Sequence, residues 1–197
     1  MLVVIDNQDS FTYNLVDLLA CNTHDSIRVV NVARVSVPHL KSLNPEAIVI
    51  SPGPGRPEDY PILFEVIEQF EHIIPILGVC LGFQLIVQYY GGHIIHSYRP
   101  VHGHTTSLKH DGSGLFNNLP QDFSVMRYHS LMIDLDCLPH VLRVTAYNEE
   151  NVAMAINHRE LPIFGVQYHP ESILSEFGAE QVKLFLARVG ESHADPV

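Results

Sequence analysis

The first half of the chain alternates short apolar runs with segments whose apolar residues recur at helical spacing. The runs rich in Val and Ile predict buried parallel strands at Leu2–Ile5, Ile27–Val32, Ala47–Ile50 and Ile73–Leu77. Helical spacing predicts helices at Phe11–Ala20, Ile62–Phe70 and Leu81–Tyr90. This alternation is typical of an α/β fold with a parallel sheet.

The second half has a different pattern, in which strands follow one another with few helices between them. The predicted strands are Gly92–Ser97, Thr105–Lys109, Phe123–Arg127, Val141–Tyr147, Val152–Asn157 and Ile163–Tyr168. A last helix is predicted at Ser175–Arg188. We therefore expect a three-layer α/β fold, in which helices flank a mostly parallel central sheet with a small added antiparallel sheet. We assign residues 1–190 to one domain and residues 191–197 to a polar C-terminal tail.

Composition narrows the class of protein and the partners it can have. Of 197 residues, 46% are apolar and 17% charged, which indicates a globular chain. A formal net charge of −11 leaves no basic field for nucleic acid. No apolar run is long enough for a membrane span, and the first strand lacks the basic flank of a signal peptide. Three cysteines without a CxxC pair predict neither a disulfide framework nor a thiolate zinc site, so we expect a cytoplasmic protein.

One cysteine stands where a strand passes into a helix, in the segment Gly78-Val79-Cys80-Leu81-Gly82. A strand–turn–helix with small residues two positions either side of the reactive residue is the context of a nucleophile elbow. The helix N-terminus favours the thiolate form. The segment therefore predicts a nucleophile at Cys80, and the alternative is a structural cysteine beside two packing glycines.

A cysteine nucleophile needs a base, and His169 is the candidate among 13 histidines. It ends the predicted strand Ile163–Tyr168, and Pro170 biases it toward extended backbone. Sites in parallel α/β sheets lie at the carboxyl ends of strands, where Cys80 also falls. Glu171 is placed to orient the ring, as the third member of a triad does. The alternative is a surface histidine before a turn.

The loop Ser51–Gly55 also follows a predicted strand, and its two prolines and two glycines make it stiff. Backbone N–H groups at Gly53 and Gly55 are available to hold an oxyanion, with the N–H of Leu81 as the second donor. The alternative is a rigid turn without function. His102 and His104 flank Gly103, and the segment is interpreted either as part of a metal site or as a solvated loop. We favour the loop and expect no metal.

Taken together, these segments resemble the class I (triad) glutamine amidotransferases over nearly the whole chain. Within that family they are similar to the amidotransferase component of anthranilate synthase and of aminodeoxychorismate (p-aminobenzoate) synthase. The segments that carry this resemblance are Asp6–Asn14, Ser51–Gly55, the elbow around Cys80, His102-Gly103, His110–Phe116, Arg127–Leu131 and His169–Glu171. The fold implied is flavodoxin-like.

The resemblance implies a triad of Cys80, His169 and Glu171, with no cofactor in this chain. It implies glutamine contacts from Gly53, Pro54, Gly55, Gln84, Ser130 and Leu131. It also implies that the ammonia released goes to a chorismate-binding large synthase subunit. Two positions depart from common forms of the family: Phe83 replaces a frequent His or Met, and His104 replaces a usual Lys.

Two other functions are weighed against this one. A stand-alone γ-glutamyl cysteine hydrolase on the same scaffold would need no partner, and Ser51–Gly55 and the opening segment argue against it. A non-catalytic regulatory subunit would be favoured if the cysteine or the histidine were replaced, but both are present.

Overall fold

The computed structural model describes the backbone of residues 1–189 and their side chains except those of residues 98–102, so the predicted tail 191–197 lies outside the described residues. The strands are β1 Leu2–Asp6, β2 Ile27–Asn31, β3 Ala47–Ile50, β4 Ile76–Val79, β5 Ile94–His110, β6 Phe123–Ile133, β7 Leu142–Asn148, β8 Ala153–His158 and β9 Ile163–Val166. The helices are α1 Thr12–Ala20, α2 Val37–Leu43, α3 Pro61–Phe70, α4 Leu81–Tyr89 and α5 Gly178–Leu186.

The described residues form a nine-stranded sheet in the order β2-β1-β3-β4-β9-β8-β7-β5-β6. The strands β2, β1, β3, β4 and β9 pair in parallel, and we call them the parallel half. The strands β8, β7, β5 and β6 pair antiparallel and form the antiparallel half. β8 joins β9, so the predicted antiparallel strands continue the central sheet. The α/β class, with a parallel centre, added antiparallel strands and flanking helices, is confirmed.

Helices cover both faces of the parallel half, which explains why its strands are apolar throughout. Leu2 and Val4 of β1 pack with α1 and α5 in one core, whereas Val3 and Ile5 pack with α2, α3 and α4 in another. Successive strand residues point to opposite faces, so a strand covered on both sides buries every side chain. This is the physical origin of the short apolar runs in the sequence.

Several local predictions were wrong. Helix α2 has no counterpart among the predicted elements, although Ser36 caps it by accepting the N–H of His39, and Pro38 lies in its first turn. β4 begins at Ile76, because the chain first turns through residues 71–74 and leaves Ile73 exposed. Helix α1 begins at Thr12, one residue after the predicted start, and Phe11 is its N-cap, with its N–H donated to the carboxylate of Asp9.

The antiparallel strands are longer than the sequence predicted. β5 joins two predicted segments into 17 residues, and β6 runs six residues beyond Arg127 to Ile133. Ser130 and Leu131 therefore lie inside a strand of the sheet, where Leu131 pairs with His96 of β5 and Ser130 falls at an irregularity of the pairing. No helix in the part of the chain that the structure describes is long and apolar enough to cross a membrane.

Candidate active site

Cys80 occupies a strained turn between β4 and α4. Its backbone has φ 53° and ψ −98°, a conformation that side-chain-bearing residues rarely adopt. The turn is close to other backbone: a Cβ on Gly78 would overlap Gly82, and a Cβ on Gly82 would overlap the carbonyl of Ile50. The N–H of Cys80 donates to the carbonyl of Val166 at 2.8 Å. The two glycines thus let α4 start directly against the sheet, and the thiol is presented at the N-terminus of that helix.

His169 lies beyond the end of β9 and is held by contacts from the other half of the sheet. Its N–H donates to the carbonyl of Met126 in β6 at 3.0 Å, and its ring packs edge-on against Phe11 and Tyr128. Its Nδ1 is 2.7 Å from Oε1 of Glu171, and both side chains are almost fully buried. Nε2 is buried without a hydrogen-bond partner among the described residues, so it is the ring nitrogen left for a reacting group.

The electrostatic surroundings favour the charged form of His169. Burial by itself would lower the pKa of the imidazole, because it removes water from the charged ring. Interaction with the neighbouring Cys80 and Glu171 outweighs burial and raises the pKa to about 10. At neutral pH His169 is therefore an imidazolium that can donate a proton.

The loop Ser51–Gly55 lies against the start of α4. A Cβ on Gly53 would come within 2.5 Å of Cδ2 of Leu81 and 2.6 Å of Cβ of Asn7, so only glycine fits there. Asn7 holds the loop: its N–H donates to Oγ of Ser51 at 3.0 Å, and its Nδ2 donates to the carbonyl of Ser51 at 2.8 Å. Asn7 thus supports the loop, a role that was not predicted because Asn7 appeared only within the segment Asp6–Asn14. Its position as a polar residue directly after a strand could have indicated this role.

A cavity of about 170 Å³ opens beside the thiol. All six positions that the resemblance assigned to glutamine line this cavity, together with Cys80, Leu81, Tyr128 and His129. They come from the loop after β3, from α4 and from β6, which are remote from one another in sequence. His169 and Glu171 do not line the cavity, but His169 interacts with Cys80 and is hydrogen-bonded to Glu171, so the triad lies beside it.

A chain of amides reaches the thiol from inside the protein. Nε2 of Gln84 donates to Oε1 of Gln167 at 3.1 Å, and Nε2 of Gln167 is 3.7 Å from the sulfur of Cys80. Both glutamines are buried. Gln167 was missed in the sequence because it lies in a predicted strand, where a polar residue is usually assigned to a solvent face.

A buried arginine supports the wall of the cavity formed by β6. Arg127 is 4% exposed, and its Nε donates to Nε2 of His129 at 3.1 Å. His129 then carries its proton on Nδ1 and donates to the carbonyl of Leu131 at 2.7 Å. Arg127 also approaches Glu150 at 3.4 Å. The arginine therefore selects the tautomer that holds Leu131 in place, and its signal in the sequence is a charged residue inside an apolar strand.

The described residues that could hold a metal do not line this cavity. The side chain of His102 is outside the described residues, and His104 is exposed. Ligand atoms of His93, Asp134 and Cys137 lie within 4.8 Å of one another at the surface. None of the three lines the cavity beside Cys80.

Comparisons of the sequence with a family model and with individual proteins agree on one family. The model of the family described as glutamine amidotransferase class-I matches residues 3–189. The chain is 42% identical over 186 residues to the aminodeoxychorismate/anthranilate synthase component 2 of Bacillus subtilis, covering 94% of this chain and 95% of that protein. It is 41% identical over 188 residues to the aminodeoxychorismate synthase component 2 of Escherichia coli, covering 95% of this chain and 100% of that protein.

Two further similarities concern a longer protein and a solved structure. The chain is 43% identical to the bifunctional protein TrpGD of Thermotoga maritima over 186 residues, but it spans only 32% of that protein. A crystal structure of a putative GMP synthase protein from Thermoplasma acidophilum matches with a TM-score of 0.85 and 21% identity. That match covers 96% of this chain and 94% of the other, and it shows the similarity of the fold alone.

Proposed function

The chain belongs to the class-I glutamine amidotransferase family, and from this premise we propose that it hydrolyses glutamine and passes the ammonia to a chorismate-binding synthase subunit. The observation that carries the proposal is the convergence at Cys80. Cys80 lies in a strained turn. The buried pair His169–Glu171 and a cavity lined by Gly53 and Leu131 lie beside it. This arrangement suits nucleophilic attack on an acyl carbon, such as that of an amide.

In the proposed reaction, the sulfur of Cys80 bonds to the side-chain amide carbon of glutamine. The N–H groups of Gly53 and Leu81 stabilise the oxyanion, and one such donor is typically worth about 3–4 kcal/mol. His169 gives its proton to the leaving nitrogen, the carbon–nitrogen bond breaks, and ammonia departs from a glutamyl thioester. His169 then takes a proton from water, which cleaves the thioester to glutamate and restores the thiol. Glu171 orients the imidazole and stabilises its charge.

A partner protein is proposed because the cavity beside Cys80, at about 170 Å³, is small for two substrates at once. The relatives in Bacillus subtilis and Escherichia coli are named as component 2 of their synthases. Near the triad, the chain exposes Ile173 by 98% and Leu174 by 55%, and an apolar pair beside an active site suits a docked protein. The acceptor is chorismate, and the product is anthranilate or 4-amino-4-deoxychorismate.

We place this reaction in the cytoplasm. The cysteines of the described chain, Cys21, Cys80 and Cys137, are all free thiols, which suits a reducing compartment. We propose no cofactor for the reaction in this chain, since thiol, imidazole and backbone donors supply every step above.

Cys80→Ala tests the proposal in the complex with the large subunit. We expect synthesis from glutamine to be abolished and synthesis from added ammonium salts to continue at the wild-type rate. Cys21→Ala is the matched control and leaves both reactions intact. Synthesis from glutamine by Cys80→Ala would refute the assigned nucleophile, and loss of the ammonium reaction would reveal failed assembly.

The stand-alone hydrolase is the competing function. It predicts that the isolated chain releases glutamate from glutamine as fast as the complex does. The amidotransferase predicts a large rise in glutaminase rate when the large subunit is added, because small displacements of catalytic groups cost about a hundredfold in rate. Glutamate release measured with and without the partner separates the two.

A further inference from the structure

A second cavity, of about 380 Å³, lies at the opposite edge of the sheet from Cys80. It opens beside Leu161 and Pro162, which precede β9, whereas His169 follows the end of that strand. We call it the arginine cavity, because Arg143, Arg159 and Arg188 line it. These are three of only 11 lysines and arginines in a chain of formal charge −11, so the positive charge is locally concentrated.

The floor of the arginine cavity is a row across three adjacent strands. Arg143 in β7 pairs with Asn157 in β8, which pairs in turn with Phe164 in β9. Residues paired across strands point to the same face of the sheet, so a guanidinium, an amide and an aromatic ring stand side by side. Across this floor, a cation, a neutral hydrogen-bonding group and an apolar surface therefore follow one another from strand to strand.

Asn157 is the least expected member of this row. It is 5% exposed as a residue, but its amide atoms are not among the fully buried side-chain atoms that lack a hydrogen-bond partner in the described part of the chain. The amide packs on Gly114, where a Cβ would overlap its nitrogen, and it faces the arginine cavity. An amide that faces a cavity offers both a donor and an acceptor to a ligand bound there.

Two of the arginines are oriented by neighbouring groups. Nη2 of Arg143 donates to Oγ of Ser113 at 2.6 Å, and Nη1 lies 3.6 Å from a carboxylate oxygen of Asp111. Nε of Arg159 donates to the carbonyl of His140 at 2.7 Å, and its terminal nitrogens make no hydrogen bond within the described part of the chain. A guanidinium held at Nε presents its terminal nitrogens as a fork that matches a carboxylate or phosphate.

We propose that the arginine cavity binds a small organic anion. Its carboxylate or phosphate group contacts Arg159 and Arg143, its polar part meets the amide of Asn157, and its apolar body lies on Phe164. Three arginines and one carboxylate, Glu160, line the cavity, so it stays net positive even though Asp111 pairs with Arg143. Because the cavity is at the far edge of the sheet, the anion does not compete with glutamine at Cys80.

Nuclear magnetic resonance titration of the whole chain tests this site, with sodium phosphate and sodium benzoate as probes at constant ionic strength. We expect saturable shifts of the Asn157 side-chain amide with at least one probe. Benzoate alone would assign the site to aromatic carboxylates, and phosphate alone to phosphorylated ligands. Arg159→Gln and Arg143→Gln each weaken binding roughly tenfold or more, as the loss of a charged hydrogen bond implies.

Arg34→Gln is the matched control, since it makes the same charge change at an exposed arginine outside the cavity. It leaves the dissociation constant unchanged. Shifts that stay linear in the concentration of both probes would overturn the proposal, and so would equal weakening by Arg34→Gln and Arg159→Gln. Arg159 is exposed, so its variant keeps the fold even if Arg143→Gln loses stability together with its contacts to Ser113 and Asp111.

Discussion

The parallel and antiparallel halves of the sheet make different contributions to the active site. The parallel half presents the groups proposed to react: Cys80 follows β4, Gly53 follows β3, and His169 lies just beyond β9. The antiparallel half presents Ser130 and Leu131 from inside β6 as a wall of the cavity. The reacting groups thus come from strand ends and turns, whereas the wall comes from within a strand.

This difference separates two kinds of constraint. Cys80 is held by strain and by close backbone packing around its turn, so small changes there displace the reacting atom. Leu131 is held by pairing with β5 and by the hydrogen-bond relay from Arg127 through His129. Changes in the parallel half should therefore act on the chemical step, and changes in the antiparallel half on the affinity for glutamine.

His169→Ala is the change in the parallel half with the largest expected effect. It removes the group that moves protons, and we expect glutaminase kcat to fall roughly a hundred- to ten-thousandfold. Glu171→Ala should cost less, since the imidazole remains and loses only its orienting partner. Steady-state glutamate release by the complex measures both. The opposite ranking would assign the base to another histidine, of which His129 is the nearest to the cavity.

Gly82→Ala tests how far backbone packing maintains the cysteine turn. The new Cβ meets the carbonyl oxygen of Ile50, which cannot move without shifting β3. We expect a loss of about 1–3 kcal/mol in the free energy of unfolding, as for other overpacked sites, and a lower kcat. Urea unfolding followed by circular dichroism measures the free energy of unfolding. Ser42→Ala, on the exposed surface of α2, is the control and should change neither quantity.

Arg127→Met tests the antiparallel half without changing a group that reacts. Loss of the relay frees His129 and loosens Leu131, so KM for glutamine should rise by roughly tenfold, in line with one charged hydrogen bond. kcat should change less than KM, and synthesis from ammonium salts should not change. Arg127→Lys, which keeps the charge but not the planar fork, should recover only part of the affinity. A fall in kcat at unchanged KM would contradict the division between the two halves.

A separate expected effect is the dependence of stability on pH through His169. Because folding raises the pKa from 6.5 to about 10, the contribution of His169 to stability is complete below pH 6.5. It is lost progressively as the pH rises through about 10. The difference in unfolding free energy between the wild type and His169→Asn should therefore shrink from pH 6 to pH 10. A difference that grows over this range would show that the buried imidazole is neutral.

The elements of the parallel half were predicted within a few residues, and the antiparallel half was predicted less well. A strand covered on both faces is an unbroken apolar run, so Ala47–Ile50 was predicted with the bounds that the structure has. β5 and β6 mix polar and apolar residues, because their positions depend on pairing with neighbours rather than on burial alone. The predicted strand therefore stopped at Arg127, before the polar stretch Tyr128–Ser130, although β6 continues through that stretch.

By itself, the sequence determined the α/β class, the cysteine turn and the residue types needed for a triad. These features are local: an apolar run, a glycine on either side of Cys80, and a proline after His169 each act through neighbouring residues. Tertiary structure alone decided that the carbonyl of Met126 holds the backbone of His169 and that Arg127 supports the cavity wall. It alone assembled the arginine cavity from β7, β8 and β9. The physical reason is that strand register and the close approach of distant segments depend on packing of the whole chain, which no short window of sequence specifies.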